Sequence, residues 1–356
     1  MRIVIVGAGM AGLACATALG GSGNEIVLLD KGRGPGGRMS SRRNATPVGE
    51  AQFDHGAQYF TARDAHFCQQ VEHWAATGVV APWPPAGPEA WVGVPAMNAP
   101  LRDMAAAQVV IWSAQVTQIE TLQTAWCLHV RRAATAAASA GPAAAAPAAA
   151  SVTMTRAASM ATLAALTTDN LDHAHDMRLE ADLVLVAIPA EQAAVLLDSV
   201  APDFAARART VQSQPNWTLM LAFAEALAVQ QHCWRGADRI AWAARNSAKP
   251  QRSGPESWVV QASASWSQAH LDADPAWVSR TLQSALADLL GVTLPSPAFA
   301  ATHRWRYALP LAINAGALFD RTRGLGVCGD WLIGGRVEAA WQSGTALAAL
   351  VAATGG

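Results

Sequence analysis

Lysine is almost missing from this chain of 356 residues, where Lys31 and Lys249 are the only two, and tyrosine is equally scarce at two. Charged residues make up 14% and the formal net charge is −1, so the chain has no electrostatic footprint for nucleic acid or an anionic membrane. Cysteine is sparse as well. Cys15, Cys68, Cys127, Cys233 and Cys328 are scattered, odd in number and without a CxxC pair, which argues against a disulfide framework or a zinc site. A reducing, cytoplasmic setting is therefore expected. No uninterrupted apolar run reaches the ~18 residues that a membrane-spanning helix needs. Neither a G-x-S-x-G elbow nor a Walker loop is present. His173, His175, Asp172 and Asp176 fall in a polar stretch that reads as a loop, so no metal site is expected.

What is abundant is apolar: 52% of the residues, a composition that suits a large globular core. Residues 2–6 form a short β-branched run of the kind buried on both faces of a parallel sheet. An Ala/Leu-rich helix is expected from Met10 to about Gly20, and a second strand from Glu25 to Asp30. The Gly7-Ala8-Gly9-Met10-Ala11-Gly12 turn lies between the first strand and the helix. Glycine at 7 permits a tight turn, glycine at 9 lets a diphosphate approach the backbone, and glycine at 12 lets helix and strand pack closely. The free N–H groups of the helix start, at Met10 and Ala11, offer positive dipole to that diphosphate. Asp30 follows 18 residues beyond Gly12, where it can accept hydrogen bonds from ribose hydroxyls. Glycines at 7, 9 and 12 also make the amino-terminal segment a poor signal peptide.

Further along, Val109–Trp112, Val116–Thr121 and Ala125–Arg131 read as an antiparallel meander that resumes at Met177. Between them, residues about 132–177 form an insertion of low complexity, rich in Ala, Ser, Gly and Pro. Residues 181–188 read as another buried strand, with a helix after Pro189. Residues 215–310 mix strands (217–223, 240–244, 258–264 and 298–305) with a helix at 275–290. The close repeats the opening: a strand at 324–328, Gly329-Asp330, then a helix from Arg336-Val337 to about 353. The expected class is mixed α/β (α+β): a Rossmann-type dinucleotide domain with a parallel sheet and meander, plus a substrate domain with a mixed or antiparallel sheet and helices. The expected division is 1–60, 100–190 and 310–356 for the first, and 61–99 and 191–309 for the second.

The Gly36-Gly37-Arg38 segment resembles the second glycine motif of the flavin amine oxidase superfamily, where the arginine supports the pyrophosphate. With Phe53-Asp54-His55-Gly56-Ala57-Gln58-Tyr59-Phe60, Asn246-Ser247-Ala248-Lys249-Pro250, His303-Arg304-Trp305-Arg306-Tyr307 and Ala339-Ala340-Trp341-Gln342-Ser343-Gly344, the chain resembles the bacterial branch of the renalase-type flavoproteins from Met1 to about Val351. The resemblance implies noncovalent FAD in a p-hydroxybenzoate-hydroxylase-like fold. It also implies oxidation of 2- and 6-dihydro isomers of NAD(P)H to NAD(P)⁺, by hydride transfer to the flavin N5, with O₂ returning hydrogen peroxide. FAD contacts are expected from Gly7, Gly9, Met10, Ala11, Gly12, Asp30, Lys31, Gly37, Arg38, Gly56, Ala57, Val116, Gly329, Asp330, Arg336 and Val337. The substrate side is expected from His55, Gln58, Tyr59, Trp305 and Tyr307, with Trp331 as a further wall. The expected partners are a small dihydronicotinamide dinucleotide and O₂, acting on a monomer or homodimer.

Two other readings stay open. In one, a flavin amine oxidase or desaturase would use Lys249 through water at the flavin, with a cage of Tyr59 and Tyr307. In the other, the protein is a flavin-binding sensor without turnover. Lys249 reads equally as a solvated or substrate-phosphate-binding lysine, and Arg252, Arg304 and Arg306 as phosphate anchors or solvated rim charges.

Overall fold

The computed structural model describes residues 1–132, 152–155, 162, 175–236 and 238–353. Most of the alanine-rich insertion, including Asp172 and His173, lies outside the described residues. The chain divides into two compact units, Met1–Pro35 with Met104–Val211 and Ala312–Gly356, and Gly36–Asp103 with Gln212–Leu311.

The first unit is built on a six-stranded sheet. Its order is Leu318–Asp320, Leu325–Val327, Leu183–Val186, Arg2–Val6, Glu25–Leu29 and Val109–Ile111. All neighbours run parallel except the first pair. The Arg2–Val6 strand is buried throughout, as its uninterrupted β-branched run requires. Val109–Ile111 is a correction. It pairs in parallel with Val27–Leu29 at the sheet edge, where Asp30 N donates to Ile111 O, and does not open the meander. The meander is a separate sheet in the order Val152–Met154, His175–Ala181, Trp126–Arg132 and Ala114–Thr121.

The first and last long helices of this unit, Met10–Leu19 and Val337–Ala352, pack together. A Cβ at Gly344 would collide with the Ala11 carbonyl, so this glycine sets how closely the two ends of the chain approach. The helices Ala190–Leu197 and Pro202–Arg209, which the sequence division placed with the substrate domain, bury Ala193, Leu197, Phe204 and Ala208 in this unit's core.

The second unit carries a five-stranded antiparallel sheet, ordered Cys233–Arg235, Ile240–Arg245, Glu256–Ala262, Ser213–Phe223 and Phe299–Pro310. One face receives the helix Pro275–Leu290, whose Val278, Leu282 and Leu286 bury against Trp217, Leu219, Trp258 and Val260. Asp274 caps that helix by accepting from Trp277 N, Pro275 sits at its first position, and Gly291 ends it in the left-handed region. The other face receives the hairpin Ser41–Thr46/Gly49–Asp54, through Ala51 and Phe53 on Met220, Ala222 and Val259. That packing draws residues 36–60 into the second unit instead of the first.

Candidate functional site

In the first unit the three glycines of the opening turn do different jobs. Gly7 has φ +104°, and a Cβ there would press on the Ala187 carbonyl. A Cβ at Gly12 would collide with Gly7 O. The fold itself therefore requires both. Gly9 is different: a Cβ there meets nothing within 4 Å, and its φ of −79° suits any residue. No protein contact therefore demands glycine at this position, and the space over its backbone is open. The helix that begins at Met10 has no side-chain cap and no acidic residue in its first turn.

Asp30 closes the turn with both carboxylate oxygens. Its Oδ2 accepts from Ala8 N at 2.8 Å and its Oδ1 from Gly32 N at 2.7 Å. The carboxylate thus braces the glycine turn, and each oxygen keeps a second lone pair. Lys31 donates to Gln192 Oε1 at 3.0 Å near the surface. Val116 lies in the Ala114–Thr121 strand beside a register irregularity.

At the other end of the chain, Gly329 N donates to Ser343 Oγ at 2.9 Å, and that hydroxyl donates to Gly316 O. A Cβ at Gly329 would strike the Trp331 ring. Asp330 is buried, and its carbonyl accepts from Ile333 N and Gly334 N, turning the chain into the last helix, which starts at Val337 after an Arg336 cap position without a side-chain cap. Trp331 is a core residue and not an exposed wall. It is 1% exposed, and its Nε1 donates to Ile188 O.

In the second unit Gly37 takes φ +49°, and the Arg38 carbonyl accepts from Ala57 N at 2.8 Å. A Cβ at Gly56 would collide with that same carbonyl, so the two motifs are locked to one another. From here the 55–59 segment runs across the sheet over one row of cross-strand neighbours: Arg235, Trp242, Gln261, Thr218 and His303. Three side chains fasten it to the sheet. Trp305 Nε1 donates to His55 O at 2.9 Å, Gln261 Nε2 to Gly56 O at 2.7 Å, and Arg235 Nη2 to Tyr59 Oη at 3.0 Å. Gln58 Nε2 adds bonds to the carbonyls of Asp54 and Gly56.

The structure brings His55 and Trp305 together, with ring centroids 5.3 Å apart, and adds His303, which the candidate residues omitted. His303 lies 5.0 Å from His55 and 4.4 Å from Trp305. Strand alternation could have found it, because 303 and 305 share a face. Burial lowers the His55 pKa to about 4, with His303 and Arg42 adding to the shift. Burial and then Arg42 also lower that of His303. Both rings are thus neutral near pH 7. Tyr307 falls where two steps along the Ser213–Phe223 strand match four along Phe299–Pro310, so it leaves the regular alternation.

Behind this row Asp54, fully buried, is saturated. Its Oδ1 accepts from Ser41 Oγ and Met97 N, and its Oδ2 from Lys249 Nζ at 3.2 Å and Arg252 Nη2 at 2.7 Å. Burial pushes the carboxyl pKa up, but Lys249 and Arg252 together hold it well below the ordinary range. Lys249 is the surplus cation of the trio. Burial brings its pKa down to about 8 against the pull of Asp54, with Arg252 lowering it further. Its ammonium also meets Gln58 Oε1 at 3.3 Å and the Trp83 ring at 5.3 Å.

Neither Lys249 nor Arg252 is therefore a solvated or phosphate-binding group, since their side chains are 0% and 1% exposed. Arg304 and Arg306 both pair with Asp272. Arg304 additionally lies over Trp217, on the helix-covered face. Among the described residues no group of three or more His, Cys, Asp or Glu could hold a metal ion, and no helix is long and apolar enough to cross a membrane.

Residues 5–72 match the NAD(P)-binding Rossmann-like domain family. Over 43 residues the chain is 49% identical to the L-amino-acid oxidase of Pseudechis australis and 51% to that of Cerastes cerastes. Each match takes in 12% of this chain and 8% of the oxidase's length. Whole-chain likeness is seen in solved structures. A candidate protoporphyrinogen oxidase from Exiguobacterium sp. 255-15 superposes with a TM-score of 0.66 at 12% identity, over 98% of both chains. Cyclohexylamine oxidase from Brevibacterium oxydans IH-35A gives 0.63 at 12% identity, over 99% of this chain and 98% of its own. At such identities the likeness is one of fold. The chain has the mixed α/β fold of these oxidases, with a Rossmann-like stretch at its amino end.

Proposed function

We propose that the protein is an FAD-dependent oxidoreductase that oxidises dihydronicotinamide dinucleotides of the 2- or 6-dihydro type. For the cofactor, the carrying observation is Gly9. Two glycines of the turn are explained by protein contacts and the third is not, beside a helix start without cap or acid. Asp30, Asp330 and Arg336 remain the proposed partners of a noncovalent FAD. Bound FAD supplies the two-electron acceptor, and O₂ takes the electrons on as hydrogen peroxide.

For the substrate, the carrying observation is the neutral His55–His303–Trp305 wall. A hydride donor needs flat apolar walls and fixed dipoles, and it needs no strong base. An imidazole with a pKa near 4 is a poor general base at neutral pH, so His55 acts by shape and orientation. The 55–59 backbone is held rigid by Trp305, Gln261 and Gln58, which keeps that wall in place without reorganisation.

A second reading, oxidation of a small amine, rests on the fold likeness to cyclohexylamine oxidase. That reading would have Lys249 reach the flavin through water, whereas its side chain is 0% exposed and its ammonium is held by Asp54 Oδ2 and Gln58 Oε1. Peroxide formation, followed with borohydride-generated NADH isomers and with a panel of primary and secondary amines, tests the choice. Turnover with the isomers alone is expected. Turnover with amines alone would replace this reading by the second.

A further inference from the structure

We infer that Arg235, held over the Trp242 ring and bonded to Tyr59, is a phosphate anchor for the distal part of the dinucleotide substrate. The inference rests on the dihydronicotinamide reading above and adds to it where the substrate's charge is gripped. The guanidinium lies 5.0 Å from the Trp242 ring centroid, and the Tyr59 ring lies 5.3 Å from the same ring. Arg235 Nη2 donates to the Tyr59 oxygen, which leaves the phenolic hydrogen and the remaining guanidinium N–H groups to face another acceptor.

An arginine resting on a tryptophan at a surface is ordinary. Three features set this one apart. It is exposed yet fixed at two points, so little side-chain freedom is lost when it binds an anion. Among the described residues it makes no ion pair within 4.0 Å, a condition it shares with Arg42 and Arg102 but combines with the two fixed points. It also stands in the same cross-strand row as His303, four strands away.

At about 4.8 Å per strand that row spans roughly 19 Å, and the guanidinium folds back by about one strand over Trp242. A reach of roughly 14 Å from the His303 wall is too long for a group carried on the nicotinamide ring. It suits a phosphate further along a dinucleotide. The charge nearby has the right sign. The Asp54–Lys249–Arg252 trio carries a net positive charge while Lys249 is protonated, and the Lys249 ammonium lies against Trp83, whose ring neighbours that of Trp242. A cationic amine gains nothing from such a surface. A phosphate gains a planar, paired donor set.

The test uses purified holoenzyme and its Arg235→Ala and Arg235→Lys variants with four substrates. These are the dihydro isomers of nicotinamide riboside, nicotinamide mononucleotide, NADH and NADPH. Arg235→Ala is expected to raise KM for at least one phosphorylated substrate about tenfold or more beyond any change in the riboside KM. Whichever of the three phosphorylated forms first shows the rise identifies the phosphate, and Arg235→Lys recovers part of the loss. An unchanged KM for all three would overturn the anchor, as would an equal rise for the riboside. If no dihydronicotinamide reduces the wild-type flavin, the parent reading falls and this one with it. That outcome is seen in the wild type alone and cannot be confused with a failure of the anchor.

Discussion

Replacing Asp54 by asparagine removes one negative charge from between two buried cations and leaves the shape nearly unchanged. The contacts at 3.2 Å to Lys249 and 2.7 Å to Arg252 correspond to gross attractions of roughly 5 and 6 kcal/mol at an effective dielectric constant near 20. Desolvating three ions offsets most of this. What matters in the variant is the pair of cations left facing one another without a counter-charge, a loss of about 3–5 kcal/mol. The assay is urea unfolding of holo and apo protein at pH 7, followed by tryptophan fluorescence and far-ultraviolet circular dichroism. Asp54→Asn with Lys249→Met should recover part of the loss, because the cation–cation repulsion is gone while Arg252 still lacks a counter-charge. Lys249→Met alone should be neutral or stabilising, since a lysine with its pKa brought to about 8 carries its charge at pH 7 at a cost of about 3 kcal/mol. A depressed lysine pKa means that wild-type stability rises relative to Lys249→Met as pH climbs from about 8 towards 10.5. A loss below about 1 kcal/mol in Asp54→Asn, or a double variant no more stable than the single, would refute this account of the cluster.

Gly9→Ala should fold with the wild-type melting temperature as apoprotein but purify with little or no flavin, whereas Gly12→Ala and Gly344→Ala should lose stability in the apoprotein itself. Thermal melts paired with the absorbance ratio at 450 and 280 nm separate the two outcomes. Because the folded His55 pKa is about 4 and the unfolded one near 6.5, His55 stays neutral in the fold while the unfolded chain takes up a proton. Stability should therefore fall by about 2–4 kcal/mol as pH drops from 6.5 to 4, and His55→Gln should flatten that part of the profile.

The parts legible in the sequence were those where one local rule acts without competition. The opening strand, turn and helix follow from β-branched residues, three glycines and an apolar helix, and each lies within a residue or so of its expected bounds. The Pro275–Leu290 helix carries its own start and stop signals in Asp274, Pro275 and Gly291. Val109–Ile111 misled because a three-residue apolar run holds no record of its partner; parallel pairing with Glu25–Leu29 is decided by tertiary packing. Lys249 and Arg252 misled in a different way. Charged residues in and just after an Asn-Ser-Ala-Lys-Pro loop look solvated until the fold brings Asp54, 195 and 198 residues away in sequence, to meet them. Trp305 and His303 show what alternation can give and what it cannot. Spacing puts both on one face, but only the assembled sheet sets His55 and Arg235 along the same row.

The most direct test of the central claim is anaerobic stopped-flow mixing of the holoenzyme with separated 2-dihydro and 6-dihydro isomers of NADH, followed at 450 nm. The account predicts rapid bleaching of the flavin by at least one isomer, release of NAD⁺, and one equivalent of hydrogen peroxide when O₂ is admitted. Bleaching by amines but by neither isomer would contradict it, as would a flavin that no substrate reduces.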